Sequence, residues 1–461
     1  MTLLDSFKTR RPAGHSFVSV PDLPELRACF DGELFGPDSP GYEAIRRPAN
    51  AVYREVRPRL VAACRSVPDV VRVMTYAKAT GDRIALRGGG HCFAGRSSTD
   101  GIVLDLSGLD GLSVGDDQVA TIQAGARLGQ VYGALHAYGR TLPAGCGSTV
   151  GITGLTLGGG IGLLGRKHGL TCDRLVGAQV VLASGSVVDC DHDHEPDLFW
   201  ALRGAGGGQF GVVTSLRFDT VPEPLTTRIE AHWPTAAVAE LAAAWQAWAP
   251  DAPDELTVNL TLESEPGAPV QATLFGAAGF GEGPTRELLR EFTGQAGVSP
   301  AMELRTGLPY HQLKHTVTGL DPLEPPERAL RIRSEFFSRA MSGHTLVSLL
   351  TQLGEPRTTG RRQLTFTAMG GAYNRVAEAA TAFAHRSERF LLEHIAGPAD
   401  PWVDRSWATA HADGSGRVYP NFPDPALGNW AAAYHAANYP RLAAVKNAYD
   451  PHRFFDFPQA I

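Results

Sequence analysis

Between Pro143 and Asp173 the chain reads PAGCGSTVGITGLTLGGGIGLLGRKHGLTCD, with ten glycines at Gly145, Gly147, Gly151, Gly154, Gly158, Gly159, Gly160, Gly162, Gly165 and Gly169. Glycine has no Cβ and tolerates positive φ, so such a run serves backbone that passes close to something else. Successive N–H groups exposed in turns of this kind form anion-binding concavities, which suits a ligand carrying phosphates. A flexible linker would be polar and Ser-rich. Here Val150, Ile152, Leu155, Leu157, Ile161, Leu163 and Leu164 are interleaved, and these side chains want burial. A second glycine cluster, Arg87-Gly88-Gly89-Gly90, runs directly into His91. An imidazole in a loop without side-chain bulk can approach a flat ligand closely, as hydrogen-bond partner or as covalent nucleophile.

Other motifs carry less. GxGxxG occurs at residues 160–165 and again at Gly206–Gly211, but the dinucleotide fingerprint has meaning only between a strand and a helix. Gly169 follows the first within four residues and the strand-like VVTSLRF follows the second, so a nicotinamide-type Rossmann site is not expected. His192 and His194 lie in the hydrophilic DCDHDHEPD. His311 and His315 are one helical turn apart, with no HExxH and no third ligand in view. No metal centre is expected. Six cysteines without a CxxC fit buried thiols better than a disulfide framework.

The chain that must position these groups has 461 residues, 43% apolar and 20% charged, enough for two or three domains. Its 42 basic and 48 acidic residues give −6 with no basic block, so no nucleic acid partner is expected. No apolar h-region follows Arg10-Arg11 and no long apolar run occurs, which argues against membrane insertion and for a cytoplasmic protein. Patterning predicts a helix over residues 52–63, then one starting at Pro68 with Asp69 as N-cap. Strands are expected at 83–87, 102–106, 119–124 and 212–218, and a hairpin pairs 175–183 with Val187–Cys190. Helices are expected at 128–138 and Pro196–Leu202. Pro222 and Pro224 mark a domain boundary. Beyond it, strands at 228–232, 255–263, 270–280 and Arg362–Ala368 adjoin helices at 236–248, 285–292 and 377–394. That pattern suggests an antiparallel sheet with helices on one face. A last helix spans 430–449.

In order, RGGGHCFAG, GIVLDLSGL, PAGCGSTVGITGLTLGGGIG, GLTCDRL, GGGQFGVVTSLRF and the C-terminal NYPRLAAVKNAYDPHRFFDFPQAI resemble the berberine bridge enzyme-like covalent flavoproteins, within the vanillyl-alcohol oxidase-type FAD fold. The motifs match over about residues 50–222 and 402–461, and the middle only loosely, through MGGAYNRV and TAFAHRSERF. The resemblance implies an α+β protein. A PCMH-type FAD-binding domain of two α/β subdomains (residues 1–224) would precede a substrate domain with an antiparallel sheet covered by helices (225–401). A C-terminal segment (402–461) would complete the FAD domain. FAD would lie against Arg87, Gly88, Gly89, Gly90, Gly145, Cys146, Thr149, Val150, Gly151, Gly154, Gly160, Gly162, Gly208, Gly211, Val212 and Asn421. His91 matches the family histidine that bonds the flavin 8α carbon, and Val150 matches a position associated with oxygen access to the flavin.

The resemblance also implies a base. Tyr419, in VYPNFPD, matches a family tyrosine that points at the substrate; Tyr373, next to GGA, is the second choice. A phenol titrates near 10, so a neighbouring cation or the flavin edge would have to depress it. Gln363, Thr365 and Thr367 share one face of the roof strand, where related enzymes place a carboxylate. None of the three is one, and they are expected to face substrate. In doubly linked relatives a cysteine stands two residues after the Ala-Gly pair; that slot holds Gly147, with Cys146 one residue early. The expectation is a single link through His91, the second link through Cys146 remaining open. The implied function is an FAD-dependent oxidase taking a hydride from an alcohol, amine or activated C–H of a small molecule, such as a natural-product intermediate, and reoxidised by O2. The alternatives are a dehydrogenase using another acceptor, a sugar oxidase, or a flavin-containing sequestering protein. The protein would be a monomer or homodimer.

Overall fold

The computed structural model describes residues 23–233, 238–317 and 329–461; the N-terminal stretch with Arg10-Arg11 lies outside them. The first sheet consists of β1 (Glu33–Phe35), β2 (Leu60–Ala63), β3 (Ile84–Arg87) and β4 (Ile102–Asp105) in the order β1-β2-β4-β3. β2 and β3 run parallel to β4, with β1 antiparallel at the edge. The helix Val67–Thr80 covers it, burying Val70, Val73, Met74 and Ala77 against Leu60, Ala62, Ile102 and Leu104. Ser66, not Asp69, caps this helix, its side chain accepting the Asp69 N–H. The buried Asp69 carboxylate instead accepts N–H bonds from Asp31, Gly32 and Arg65, fixing the preceding loop. The helix expected over 52–63 does not form. Pro58 interrupts it, Ala51–Tyr53 makes one 3-10 turn, and the apolar LVAA becomes β2. A short apolar run looks the same to periodicity whether helix or buried strand.

Seven strands follow: β5 (Leu112–Val114), β6 (Val119–Gln123), β7 (Arg140–Thr141), β8 (Leu175–Val181), β9 (Val187–Cys190), β10 (Val212–Asp219) and β11 (Val221–Pro222). Five of them form an antiparallel sheet ordered β5-β6-β10-β8-β9, and β7 pairs with β11. The expected β8–β9 hairpin is present.

The third sheet takes β12 (Leu225–Trp233), β13 (Leu256–Ser264), β14 (Gln271–Ala278), β15 (Ala301–Pro309), β16 (Arg331–Phe337), β17 (Arg362–Ala368) and β18 (Phe390–Ala396). Its order is β15-β12-β14-β13-β17-β18-β16, antiparallel throughout. Helices Val238–Trp248, Glu282–Ala296, Gly343–Leu353 and Trp402–His411 pack on one face through Trp245, Leu289, Leu349 and Trp402 against Leu260, Leu274, Leu364 and Phe366. Because side chains alternate along a strand, Thr365 and Thr367 face the other way. The helix Trp402–His411 belongs to this core, so we place the return to the FAD domain after it rather than at 402.

Two further helices differ from expectation. Residues 377–389 are irregular and lead into β18. The carbonyls of Glu378, Ala379, Thr381 and Ala382 are taken by the side chains of Asn438 and Trp200, not by amides four residues on. The last helix is split into Trp430–His435 and Tyr439–Tyr449 around Ala436 (φ 46), with Pro440 in the first turn of the second piece.

Three buried cations tie the parts together. Arg166 donates to the carbonyls of Ala249, Pro250, Ala252 and Met369, and Arg386 pairs with Asp173 at 2.6 Å. Lys446 donates to the carbonyls of Gln209 (2.6 Å) and Phe455 (2.8 Å), holding the C-terminus against the glycine turn at 206–211. No helix among the described residues is long and apolar enough to cross a membrane.

Candidate active site

The two glycine loops meet backbone to backbone. A Cβ on Gly89 would lie 2.3 Å from the Gly151 nitrogen, and one on Gly151 would lie 2.5 Å from the Gly89 nitrogen. Neither contact admits a side chain. Behind them opens a cavity of about 980 Å³, lined by Gly88, Gly89, Gly90, His91, Gly145, Cys146, Val150, Gly151, Gly154, Gly162, Gly208, Gly211, Thr365, Thr367, Tyr419 and Asn421. Four sequence-derived flavin contacts sit elsewhere. The buried Arg87 guanidinium turns away and pins neighbouring loops through the carbonyls of Ile45, Arg46 and Ser97. Val212 packs in the core of the first sheet, and its neighbour Val213 lines the cavity instead. Gly160 serves Tyr419, and Thr149 touches His91.

His91 sits at the mouth of the first loop with Nε2 3.0 Å from Thr149 Oγ1. Cys146 also lines the cavity, its sulfur 3.3 Å from the buried Lys314 ammonium. Lys314 also donates to the Ala144 carbonyl and lies over the rings of Tyr132 and Tyr310. Nothing in the sequence marked Lys314, because its neighbourhood comes from three distant segments.

Tyr419 is buried with its phenol oxygen toward the glycine run. That oxygen accepts the N–H groups of Gly160 and Ile161, each at 3.1 Å, and the Asn421 amide at 2.9 Å. Gly160 takes φ 87 to aim its N–H there. The expected depression of this phenol by a cation is not what the structure holds. Burial pushes it up to about 12, opposed by the hydrogen bonds from Asn421, Ile161 and Gly160. Tyr373 does not face the cavity: its hydroxyl donates to the Gly162 carbonyl at 2.8 Å and accepts the Gly162 N–H at 3.1 Å. Burial raises that phenol well above the usual range. Its role is to brace the glycine run.

The third sheet roofs the cavity. Thr257 and Asn259 of β13, Phe275 of β14, Thr365 and Thr367 of β17, and Leu391 and Glu393 of β18 line it. Gln363 shares their face but stops short of the cavity, its amide donating to Thr365 Oγ1 at 2.8 Å. The roof therefore does contain a carboxylate. Glu393 stands opposite Thr365 on the adjoining strand, with Thr367 Oγ1 3.5 Å from its Oε1. It was missed because 377–394 read as a helix; a lone Glu inside FLLEHIA was the available signal.

The residues present fit FAD. The volume is at the upper end of the roughly 300–1,000 Å³ typical of ligand clefts. The glycine loops line it with backbone rather than side chains, and a Cβ on Gly154 would meet no protein atom. Fold and site together define a flavin-dependent oxidoreductase with a PCMH-type FAD-binding domain. A family profile described as FAD binding domain matches residues 58–191, and one described as berberine and berberine like matches residues 418–461. The uncharacterized FAD-linked oxidoreductase YgaK of Bacillus subtilis is 32% identical over 93% of this chain and 96% of its own. The chain belongs to the berberine bridge enzyme-like family of FAD-linked oxidoreductases. Among solved structures, Physcomitrella patens BBE-like 1 superposes with a TM-score of 0.87 at 26% identity, covering 95% of this chain and 99% of its own. Glucooligosaccharide oxidase of Acremonium strictum, with its 6-S-cysteinyl, 8α-N1-histidyl FAD, does so at 0.85 and 26%, covering 95% and 98%.

Proposed function

We propose that the protein is an oxidase that removes a hydride and a proton from a hydroxyl-bearing small molecule and passes the two electrons, with two protons, to O2 as H2O2. The observation that carries this is the Tyr419 oxygen, held by three N–H donors on a residue lining the cavity under the polar roof. Donors converging on one oxygen favour its anionic form, so Tyr419 Oη takes the hydroxyl proton of the donor. Thr257, Asn259, Thr365, Thr367 and Glu393 accept and donate hydrogen bonds to its remaining hydroxyls. Bound FAD supplies the two-electron acceptor for the hydrogen leaving carbon. His91 tethers it: in the tautomer that donates Nε2–H to Thr149 Oγ1, 3.0 Å away, the nucleophilic lone pair lies on Nδ1. Val150, in the cavity wall, matches the family position associated with oxygen access to the flavin, which favours O2 as acceptor. The likeness to glucooligosaccharide oxidase supports carbohydrate hydroxyls as members of this donor class. A second reading, an amine donor, draws on Glu393, whose carboxylate would hold an ammonium.

Anaerobic stopped-flow mixing with oligosaccharides, primary alcohols and cyclic amines, read by loss of flavin absorbance, tests the proposal. Hydroxyl donors should bleach the flavin, and air should restore its colour within seconds with peroxide release. Bleaching by amines alone would select the second reading, and reoxidation over many minutes would make the protein a dehydrogenase.

A further inference from the structure

His136, Glu223 and His311 are the one group of three His, Cys, Asp or Glu side chains among the described residues whose ligand atoms all lie within 4.8 Å of one another. They come from three segments. His136 ends the helix Leu128–His136, Glu223 lies in the connection just after β11, and His311 is in the first turn of the helix Tyr310–Val317. The other ends of both helices, Leu128 and Val317, line the cavity. At a rise of about 1.5 Å per residue, the histidines are on the order of 10 Å along the helices from it. We propose that these three residues bind a divalent transition-metal ion of the zinc class, clamping the FAD-binding domain to the substrate domain.

The geometry is that of a ligand set. Both imidazoles direct Nδ1 at the same carboxylate, His136 at 2.5 Å from Oε2 and His311 at 3.1 Å from Oε1, with the rings stacked 3.6 Å apart. The His311 backbone N–H donates to Oε1 at 2.8 Å and orients the carboxylate, the kind of outer support that metal ligands have. Glu223 is 7% exposed and His136 44%, so the site is walled on one side and open for ion entry on the other. Without an ion, each Nδ1–H donates to the carboxylate. On binding, both rings shift their proton to Nε2 and present Nδ1 lone pairs, so the rings stay neutral. Ligand atoms about 2.0–2.2 Å from a tetrahedral ion stand roughly 3.3–3.5 Å apart, a small adjustment here. Two imidazoles and a carboxylate select zinc, nickel or cobalt over magnesium and calcium; water completes the shell. His315, one turn after His311 with its ring 6.5 Å away, stays outside the set. The i,i+4 histidine pair visible in the sequence thus names one ligand, and the fold brings the other two.

Untagged, FAD-loaded full-length protein, stripped with EDTA and titrated with ZnCl2, tests this by calorimetry and elemental analysis. One zinc per chain should bind and raise Tm, MgCl2 should do neither, and the flavin spectrum should stay unchanged. H136A/H311A should lose at least about tenfold in zinc affinity while keeping its flavin spectrum, and H192A/H194A should bind zinc as wild type does. Failure of the wild type to take up zinc stoichiometrically, or undiminished uptake by H136A/H311A, overturns the proposal.

Discussion

Tyr419 concentrates the chemistry in one oxygen. Its free phenol stands at about 12, so below that pH the phenolate fraction grows tenfold per unit. Flavin reduction limited by this base therefore accelerates as pH rises into the alkaline range. Y419F should cut the reduction rate by about 10²–10⁴-fold, abolish that pH dependence and leave FAD bound; an unchanged rate would remove Tyr419 from the mechanism. The tether is a second residue-scale matter. The Cys146 sulfur lies 3.3 Å from the Lys314 ammonium, on a residue that lines the cavity one position before the linking slot of doubly linked relatives, and we propose a single link through His91. H91A should release FAD on acid precipitation and C146A should retain it. Peptide mass spectrometry finding flavin joined to both His91 and Cys146 in the wild type would refute single linkage.

Among the elements, the paired glycine loops and the roof strands do most to define the site. Glycine density at 143–173 read as room for a ligand, and part of it is, but Gly89 and Gly151 are glycines because two backbones touch. G151A puts a Cβ 2.5 Å from the Gly89 nitrogen, a backbone clash that no rotamer relieves. Loss of FAD content and a lowered Tm are expected. G133A, on the exposed face of the helix Leu128–His136 where a Cβ meets no other atom, should instead stabilise by roughly 0.5–1 kcal/mol. Thermal melts with flavin quantitation separate the two. In the roof, β17 was legible from its alternation. β18 was not, because FLLEHIA carries no two-residue period, although both strands are buried along their whole length.

At the scale of the molecule, three histidines make the fold acid-sensitive. His385, His394 and His435 are buried, and burial, the largest influence on each, lowers them to about 3. They are neutral in the fold, while the unfolded chain protonates them below about 6.5. Their stabilisation is complete above pH 6.5 and is lost as pH falls towards 3. Three protons taken up on unfolding correspond to a slope of about 4 kcal/mol per pH unit well below 6.5. Burial raises Glu335 and Glu388; as pH falls these take up protons in the fold before they do in the unfolded chain, and so blunt the slope. Chemical denaturation from pH 7.5 to 5 should show stability falling with pH, more shallowly in H394N; stability independent of pH over that range would contradict this.

The linear sequence by itself determined the family and the FAD-binding class, and it pointed to the glycine loops, His91, Tyr419 and Asn421, which line the cavity, because each is carried by a short motif whose residues are neighbours in the chain. Tertiary structure alone decided the rest. It put the Tyr373 hydroxyl on Gly162 outside the cavity, aimed Arg87 at neighbouring carbonyls, and put Glu393 in the roof. It also placed Lys314 against Cys146 and joined His136 and Glu223 to His311. Each of those outcomes depends on which distant segment packs alongside, and a side chain's hydrogen-bond partners, burial and protonation are properties of that contact, not of the residue's own stretch of chain.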